Sequence, residues 1–539
     1  MNAPWWRSAV IYQVYLRSFA DSDGDGIGDL RGAIEHLDYL ADLGADAIWL
    51  NPWYPSPMAD AGYDIADYRD IDPSFGSLAD ADALVAAARV RGIRVIIDMV
   101  PNHCSSEHPW FRAALAAPAG AAERGKFWFR AGRGRDGELP PNNWTSIFGG
   151  LAWTRVTGPD GQAGEWYLHL FAPEQPDFNW EDPEVRAEFA DVLRFWLDRG
   201  VDGIRIDSAA ILVKDPALPD ENGDDQPGPG HPFIDRDGIH DIYREWRRVA
   251  DEYPGERTLI GEIWLPDHLR FARYLRADEL HSAFSFALLQ SPWDAAALRQ
   301  VIDDTLAAHA PVGAPAAWVL SNHDVTRHVT RYGRAVTSFD FASRRHGEPL
   351  DLDLGTRRAR AAILLTLALP GAVYLYQGEE LGLWEVEDLP GEARQDPLWH
   401  RNGGTDPGRD GCRVPMPWSG TEPPFGFSDG GQPWLPQPAA WKDHTVEAET
   451  GDPASMLELY RSALRLRRSG TAFGDPAVPM RWLPAPDRVL AFTRGAGACY
   501  LNLSGEPVAL PGDAGVLLSS QPLNGRELAP DTAAWIRVE

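Results

Sequence analysis

Cysteine is scarce in this chain of 539 residues. Only Cys104, Cys412 and Cys499 are present. Three thiols make no disulfide framework, which points to a reducing, cytoplasmic setting. Positive charge is also in deficit: 50 Lys and Arg stand against 79 Asp and Glu, a formal net charge of −29. A field of that sign repels phosphates, so nucleic acid and acidic membrane surfaces are excluded as partners. A neutral or cationic small ligand fits it. Long apolar runs are missing too. The longest, Ala359 to Tyr376, is broken by Thr366, Pro370 and Gly371, and it reads as a core helix leading into a strand, not a membrane span. The opening residues Met1 to Arg7 show no basic segment followed by an apolar run, so no signal peptide is expected.

Hydrophobic residues make up 44% of the chain, enough for one large domain and smaller ones around it. The 22 Trp suit sugar rings, whose apolar faces stack on flat aromatics, but most of them are expected to be core or loop anchors. Strand and helix signals alternate. Strand-like segments are Val10–Tyr15, Ala47–Pro52, Arg94–Val100, Gly203–Asp207, Thr258–Trp264, His281–Phe286, Trp318–Asp324 and Val373–Tyr376. Between them lie helical patterns such as Leu30, Ile34, Leu37, Leu40 and Leu43, then Leu78–Arg91, Glu184–Arg199 and Ile239–Glu252; Met456–Arg468 follows the last strand. Eight strands alternating with helices imply an α/β fold, a closed (β/α)8 TIM barrel with a parallel sheet. The alternation breaks over residues 104–172, too long and too rich in Gly, Pro and Trp for a loop, so an inserted subdomain is expected after strand 3. Residues 1–103 and 173–470 then form the barrel. The tail, 471–539, has short β-like runs and reads as a C-terminal β-sandwich domain.

Barrel enzymes build their sites at the C-terminal ends of the strands. Those ends carry Pro101-Asn102-His103, Arg205 with Asp207, Glu262, and His323-Asp324, with Gly62-Tyr63-Asp64 just after the second strand. Five elements far apart in sequence thus bring acids and imidazoles to one rim, which independent structural ion pairs would not do. Three carboxylates with two His and an Arg, without a phosphate loop, suit cleavage of a glycosidic bond. A retaining mechanism needs one ionised carboxylate and one protonated carboxyl. Arg205, two residues before Asp207 on the same strand face, favours ionisation of Asp207. Glu262, flanked by apolar Ile260 and Trp264, suits the protonated role. Asp324 is left to grip hydroxyls and to stabilise positive charge.

The motifs Asp98-Met99-Val100-Pro101-Asn102-His103, Gly203-Ile204-Arg205-Ile206-Asp207, Gly261-Glu262-Ile263-Trp264 and Ser321-Asn322-His323-Asp324 resemble those of the α-amylase family of glycoside hydrolases, family 13, in its oligo-1,6-glucosidase and α-glucosidase branch. Gln175-Pro176-Asp177-Phe178-Asn179 resembles that branch's further marker, with Phe where Leu is usual. The resemblance implies Asp207 as nucleophile, Glu262 as acid/base and Asp324 as transition-state stabiliser. It implies sugar binding by His103, Arg205 and His323, a grip on the terminal glucose by Asp64 with Tyr63 stacking, and a clamp on the same glucose by Arg409.

A second constellation is Asp21-Ser22-Asp23-Gly24-Asp25-Gly26-Ile27-Gly28-Asp29. Carboxylates alternating with glycines suit Ca²⁺. It is no EF-hand, since Gly32 stands where a bidentate Glu is needed. The resemblance implies a structural calcium loop using Asp21, Asp23, Asp25, the Ile27 carbonyl and Asp29, with Mg²⁺ as the other metal open; the competing reading is a solvated acidic turn in which Asp29 caps the next helix. Cys104 and Cys412 read as spectators. The loop from Lys214 to Asp237 reads as a flap over the pocket, or as a second metal loop.

Ser208 follows the expected nucleophile. In the branch it resembles, Val there goes with α-1,6 bonds and Thr with α-1,4; Ser is nearer Thr, so α-1,4 is favoured. The expectation is a retaining exo-acting α-glucosidase on short oligosaccharides. The alternative is a transglucosidase or a sucrose or maltose isomerase using the same site. A transporter-associated, non-catalytic barrel would carry a membrane span and lose the carboxylates. Monomer and dimer are both open.

Overall fold

The computed structural model describes residues 4–157, 161–223, 226–341, 343–470, 473–475, 478–512 and 515–538. Eight parallel strands form its centre: β1 (Val10–Val14), β2 (Ala47–Leu50), β3 (Arg94–Met99), β4 (Gly203–Ile206), β5 (Thr258–Gly261), β6 (Ser282–Ala283), β7 (Ala317–Val319) and β8 (Ala372–Tyr376). Apart from Arg94 every strand residue is buried. That explains their nearly unbroken apolar sequence, because a parallel sheet covered by helices is dry on both faces. The strands pair in the order β7-β8-β1-β2-β3-β4-β5-β6. The two ends meet through a single parallel bridge, Ser285 to Trp318, where Ser285 N donates to Ala317 O at 2.8 Å. The barrel is closed.

Register sets the site. Asp98 on β3 pairs with Arg205 on β4, and Ile206 pairs with Gly261 on β5. Asp207 and Glu262 therefore emerge side by side, one step past their strands. Gly203 permits this packing: a Cβ there would lie 2.5 Å from Thr258 Cγ2. The helix before β4, Pro183–Asp198, is capped by Asp182 and buries Val185, Phe189, Val192, Leu193, Trp196 and Leu197. The apolar run near the end of the barrel is a helix, Leu352–Ala368, followed by β8. Among the described residues no helix is long and apolar enough to cross a membrane. Ten Trp are fully buried.

One expected helix is two. Leu30–Glu35 and Leu37–Leu43 are separated at His36. The His36 ring bonds Gly32 O at 2.8 Å and packs on Trp418, which diverts that carbonyl from the helical ladder.

After β3 the chain leaves the barrel and builds a three-stranded antiparallel sheet from Phe129–Arg130, Trp153–Thr157 and Ala163–Leu168. It returns along the barrel through bridges His103–Asp177 and Phe127–Phe178. The C-terminal part is all β: a five-stranded sheet and a two-stranded ribbon, Val508–Ala509 with Glu527–Leu528. Trp535 Nε1 donates to Leu364 O at 3.0 Å, which ties this part to a barrel helix.

Candidate active site

Arg205 is the centre of the rim. It is 1% exposed and meets three carboxylates: Asp207 Oδ1 at 2.9 Å, Glu262 Oε2 at 2.8 Å and Asp98 Oδ2 at 3.2 Å. Asp98 also accepts from Trp49 Nε1 at 2.9 Å and Tyr63 OH at 2.7 Å. Burial pushes the Asp98 carboxyl up to about 6 against the pull of Arg205. Burial pushes Asp207 well above the usual carboxylate range, with Glu262 and Asp98 adding to it and Arg205 opposing. Three buried acids around one cation favour uptake of a proton.

Two expectations are corrected here. Arg205, expected to favour an ionised Asp207, also spans Glu262, and burial outweighs its pull on Asp207. The surroundings of Glu262 are polar, not apolar. Trp264 turns its Nε1 to Glu262 Oε1 at 2.9 Å, and Ser208 N donates to Oε2 at 3.0 Å. Stacking on Phe286, with centroids 3.6 Å apart, fixes the indole. A left-handed backbone at Ser208, φ 48°, aims its N–H.

Asp324 lies in a second arginine cluster. Its Oδ1 is 3.2 Å from Arg409 Nη1 and 3.1 Å from Arg413 Nη2, and its Oδ2 is 3.2 Å from His323 Nε2. Burial works against ionisation there, but these groups outweigh it and hold the carboxyl well below its ordinary range. Arg409 also meets Asp396 Oδ2 at 2.6 Å and Asp60 Oδ1 at 2.5 Å.

Asp60, not Asp64, is the acid at Arg409. Asp64 is fully buried, and its carboxylate accepts from Ser56 Oγ, Ala59 N and Asp60 N at 2.9–3.0 Å. Ala61 at φ 51° and Gly62 at φ 102° reverse the chain between the two acids, so only one can face the rim. Asp60, Asp98, Asp396 and Arg413 are the charged residues that sequence reasoning missed. The signal for Asp60 was the paired Asp four residues apart across a Gly turn.

The remaining expected residues converge. Tyr63 OH is 2.7 Å from His323 Nε2, and the two rings stack at 5.3 Å. His323 Nδ1 contacts Gln13 Nε2 at 2.8 Å. Burial holds His323 well below its ordinary value and His103 down at about 4, so both rings are neutral at pH 7. The segment from Lys214 is not a free flap. Asp220 pairs with Arg133 at 3.0 Å, Glu221 N donates to Asn143 Oδ1 at 2.7 Å, and Tyr274 OH donates to Asp235 Oδ1 at 2.7 Å. These contacts stitch it to the inserted subdomain and to the helix His268–Arg273. Asp224 and Asp225, which suggested a second metal loop, lie outside the described residues. All three cysteines are buried and unpaired.

Residues 13–475 match the family described as alpha amylase, catalytic domain. The chain belongs to the α-amylase family. It is an enzyme of glycosidase type. Among similar curated proteins, a probable alpha-glucosidase of Rhizobium meliloti (strain 1021) is 38% identical over 526 residues, 93% of this chain and 90% of that one. An oligo-1,6-glucosidase of Parageobacillus thermoglucosidasius is 35% identical over 513 residues, 87% of this chain and 84% of that one. Among solved structures, an alpha-glucosyl transfer enzyme superposes with TM-score 0.86 at 36% identity, covering 100% of both chains. An isomaltulose synthase of Erwinia rhapontici NX5 gives 0.85 at 32%, covering 99% of both.

In this α-amylase-family enzyme the acidic loop lies apart from the arginine clusters in its contacts. Asp21, Asp23 and Asp29 each place a carboxylate oxygen within 4.8 Å of the others. Asp25 is outside that trio; its Oδ1 accepts from Ile27 N at 2.7 Å. Burial, then the like charges of Asp23, Asp21 and Asp29, push the Asp25 carboxyl up, while the Ile27 N–H pulls it down. Asp29 also caps the helix Leu30–Glu35 through Gly32 N. The loop packs on the segment after Phe427, with Asp21 N donating to Phe427 O and Trp434 N to Gly26 O.

Proposed function

We propose that this enzyme is a retaining, exo-acting α-glucosidase that removes terminal α-linked glucose from short oligosaccharides. The observation that carries the reading is the shared guanidinium: Asp207 and Glu262 occupy the two terminal nitrogens of Arg205. Two carboxyls held together suit double displacement, whereas an inverting pair leaves room for a water between them. In this reading the Asp207 carboxylate attacks the anomeric carbon as the bond to the leaving sugar breaks. Glu262 gives its proton to the leaving oxygen. Water then enters, Glu262 takes its proton, and the ester to Asp207 opens. Asp324, kept ionised by its cations, stabilises the positive charge that develops at the anomeric carbon. Arg205, His103, His323 and Tyr63 hold sugar hydroxyls. Asp60 and Arg409, paired at 2.5 Å beside Asp324, are placed to grip a terminal glucose in this reading, which suits attack at chain ends.

Ser208 supports a preference for α-1,4 over α-1,6 bonds, because a small hydroxyl leaves room that Val would fill. Such a difference decides about 1–3 kcal/mol. A second reading, transfer of glucose to a sugar acceptor, is supported by the likeness to an alpha-glucosyl transfer enzyme and an isomaltulose synthase along the whole chain. Product analysis on maltose, isomaltose, sucrose and trehalose with free acceptor separates the two. Free glucose from maltose in excess over new disaccharide supports hydrolysis, and rearranged disaccharide as main product overturns it.

We further propose that the acidic loop holds a structural Ca²⁺ through Asp21, Asp23 and Asp29, with Asp25 and the Ile27 carbonyl completing an all-oxygen shell. Mg²⁺ suits a wrapped protein cage less well. The three carboxylates gathered within 4.8 Å of one another support a cation there. Chelation is expected to lower Tm by several degrees; an unchanged melting curve refutes the site. Three unpaired cysteines support a cytoplasmic setting.

A further inference from the structure

Lys214 is fully buried in the segment that follows Asp207. Its Nζ donates to Asn102 Oδ1 at 2.6 Å and to Ile211 O at 3.0 Å, and it pairs with Asp177 Oδ2 at 2.7 Å. An ammonium only donates, so the Asn102 atom that faces it is the oxygen. The Asn102 amide nitrogen then points the other way, 3.1 Å from Asp177 Oδ2 and 3.2 Å from His103 Nδ1. An amide nitrogen also only donates, so His103 Nδ1 carries the lone pair. The ring is neutral, and its one proton sits on Nε2, 3.1 Å from the carbonyl of Tyr63.

We infer that Lys214 is a positioning residue that sets the tautomer of His103 through the Asn102 amide, so that an Nε2–H bond is presented to the sugar pocket. The consequence for substrate rests on the reading of His103 as a hydroxyl-binding residue; the tautomer itself does not. Gln175 sharpens that consequence. Its Oε1 accepts from Ala172 N at 3.0 Å and its Nε2 donates to Asp60 Oδ2 at 3.1 Å, so its orientation is fixed as well. Gln175 Nε2 and His103 Nε2 then face each other at 3.0 Å, donor against donor. An oxygen that accepts from both relieves the conflict, so the pair selects a sugar hydroxyl or ring oxygen as acceptor.

Nitrogen–proton correlation spectra of ¹⁵N-histidine protein read the tautomer directly, with His103 identified by its absence in His103→Asn. Ligand-free wild type is expected to show Nε2–H at neutral pH. The charge-balanced double variant Lys214→Met with Asp177→Asn frees the Asn102 amide to turn over, and Nδ1–H is expected to appear, with KM for maltose rising about tenfold, the loss of one hydrogen bond. A purely structural lysine would lower Tm and leave the ring wholly on Nε2, which overturns the inference. So does Nδ1–H in wild type, which decides the matter alone where the double variant does not fold. Because the spectrum needs no substrate, failure of the glucosidase reading leaves this result standing.

Discussion

Two buried arginines each gather three carboxylates, and the outcomes differ. Around Arg205 stand Asp98, Asp207 and Glu262. Around Arg409 stand Asp60, Asp324 and Asp396. The difference is Arg413, a second guanidinium 3.1 Å from Asp324 and 3.8 Å from Asp396. With one cation for three acids, burial wins and Asp98 rises to about 6. With two, Arg409 and Arg413 outweigh burial at Asp396, which falls to about 2, while Asp60, paired with Arg409 alone, is still pushed up by burial. A third cluster completes the series. Glu379 and Glu380 are buried side by side and bonded to Tyr460, Tyr12 and Tyr39, with no cation in contact among the described residues. Burial pushes Glu379 up to about 8. The number of cations that touch a given acid tracks whether that acid stays charged: Asp324 and Asp396 each meet two guanidiniums, Asp98 and Asp60 one.

The largest expected effect comes from breaking the first cluster. Asp207→Asn removes the proposed nucleophile, and kcat on an aryl α-glucoside is expected to fall by about 10⁴–10⁶-fold. Glu262→Gln is expected to slow poor leaving groups by about 10²–10⁴-fold and activated ones far less, since only the former need a proton; equal losses on both would remove Glu262 from the acid role. Next comes the second cluster. Arg413→Gln leaves three acids with one cation and makes it resemble the first. Arg413 helps to hold Asp324 and Asp396 down, so its loss raises both carboxyls, and the acid limb of the pH–rate profile is expected to move to higher pH. In wild type the stability from Asp396, about 2 kcal/mol, is complete above its ordinary value of 3.8 and is lost as pH falls towards 2. An acid limb that stays in place would show that Arg413 only packs. The smallest effect is on stability alone. Glu379 binds its proton more tightly in the fold, so its contribution is complete below 4.5 and is lost as pH rises towards 8. Glu379→Gln abolishes that loss, and Tm should exceed wild type at alkaline pH by more than at mildly acidic pH. A gap that ignores pH would refute it.

Much of this was legible in sequence, and particular residues show why some was not. Strand ends announce themselves, so the barrel and the positions of Asp207, Glu262 and Asp324 followed from alternation and rim location. Partnership does not announce itself. Arg205 reads as a partner of Asp207 because both lie on one strand; that it also reaches Glu262 depends on the register between β4 and β5. Trp264 looked like an apolar wall because its indole nitrogen has no direction in sequence. Asp60 and Asp64 could be told apart only by the left-handed turn at Ala61 and Gly62. Asp29 was open between metal ligand and helix cap, and in the structure it caps a helix while standing within the acidic trio.

The barrel is shut between β6 and β7 by one bridge, at Ser285 and Trp318. That seam falls between the elements carrying the two arginine clusters: the first on β3, β4 and β5, the second on the residues after β7 and β8 and on the turn after β2. On the other side Tyr63 joins them, with Asp98 and His323 both 2.7 Å from its hydroxyl. At the seam itself the buried Arg331 guanidinium donates to Leu289 O and to Leu320 O, so side chains clamp the two charge systems on both sides of the ring. With a single ladder bond between β6 and β7, amide exchange in the ring is expected to be fastest at Ser285.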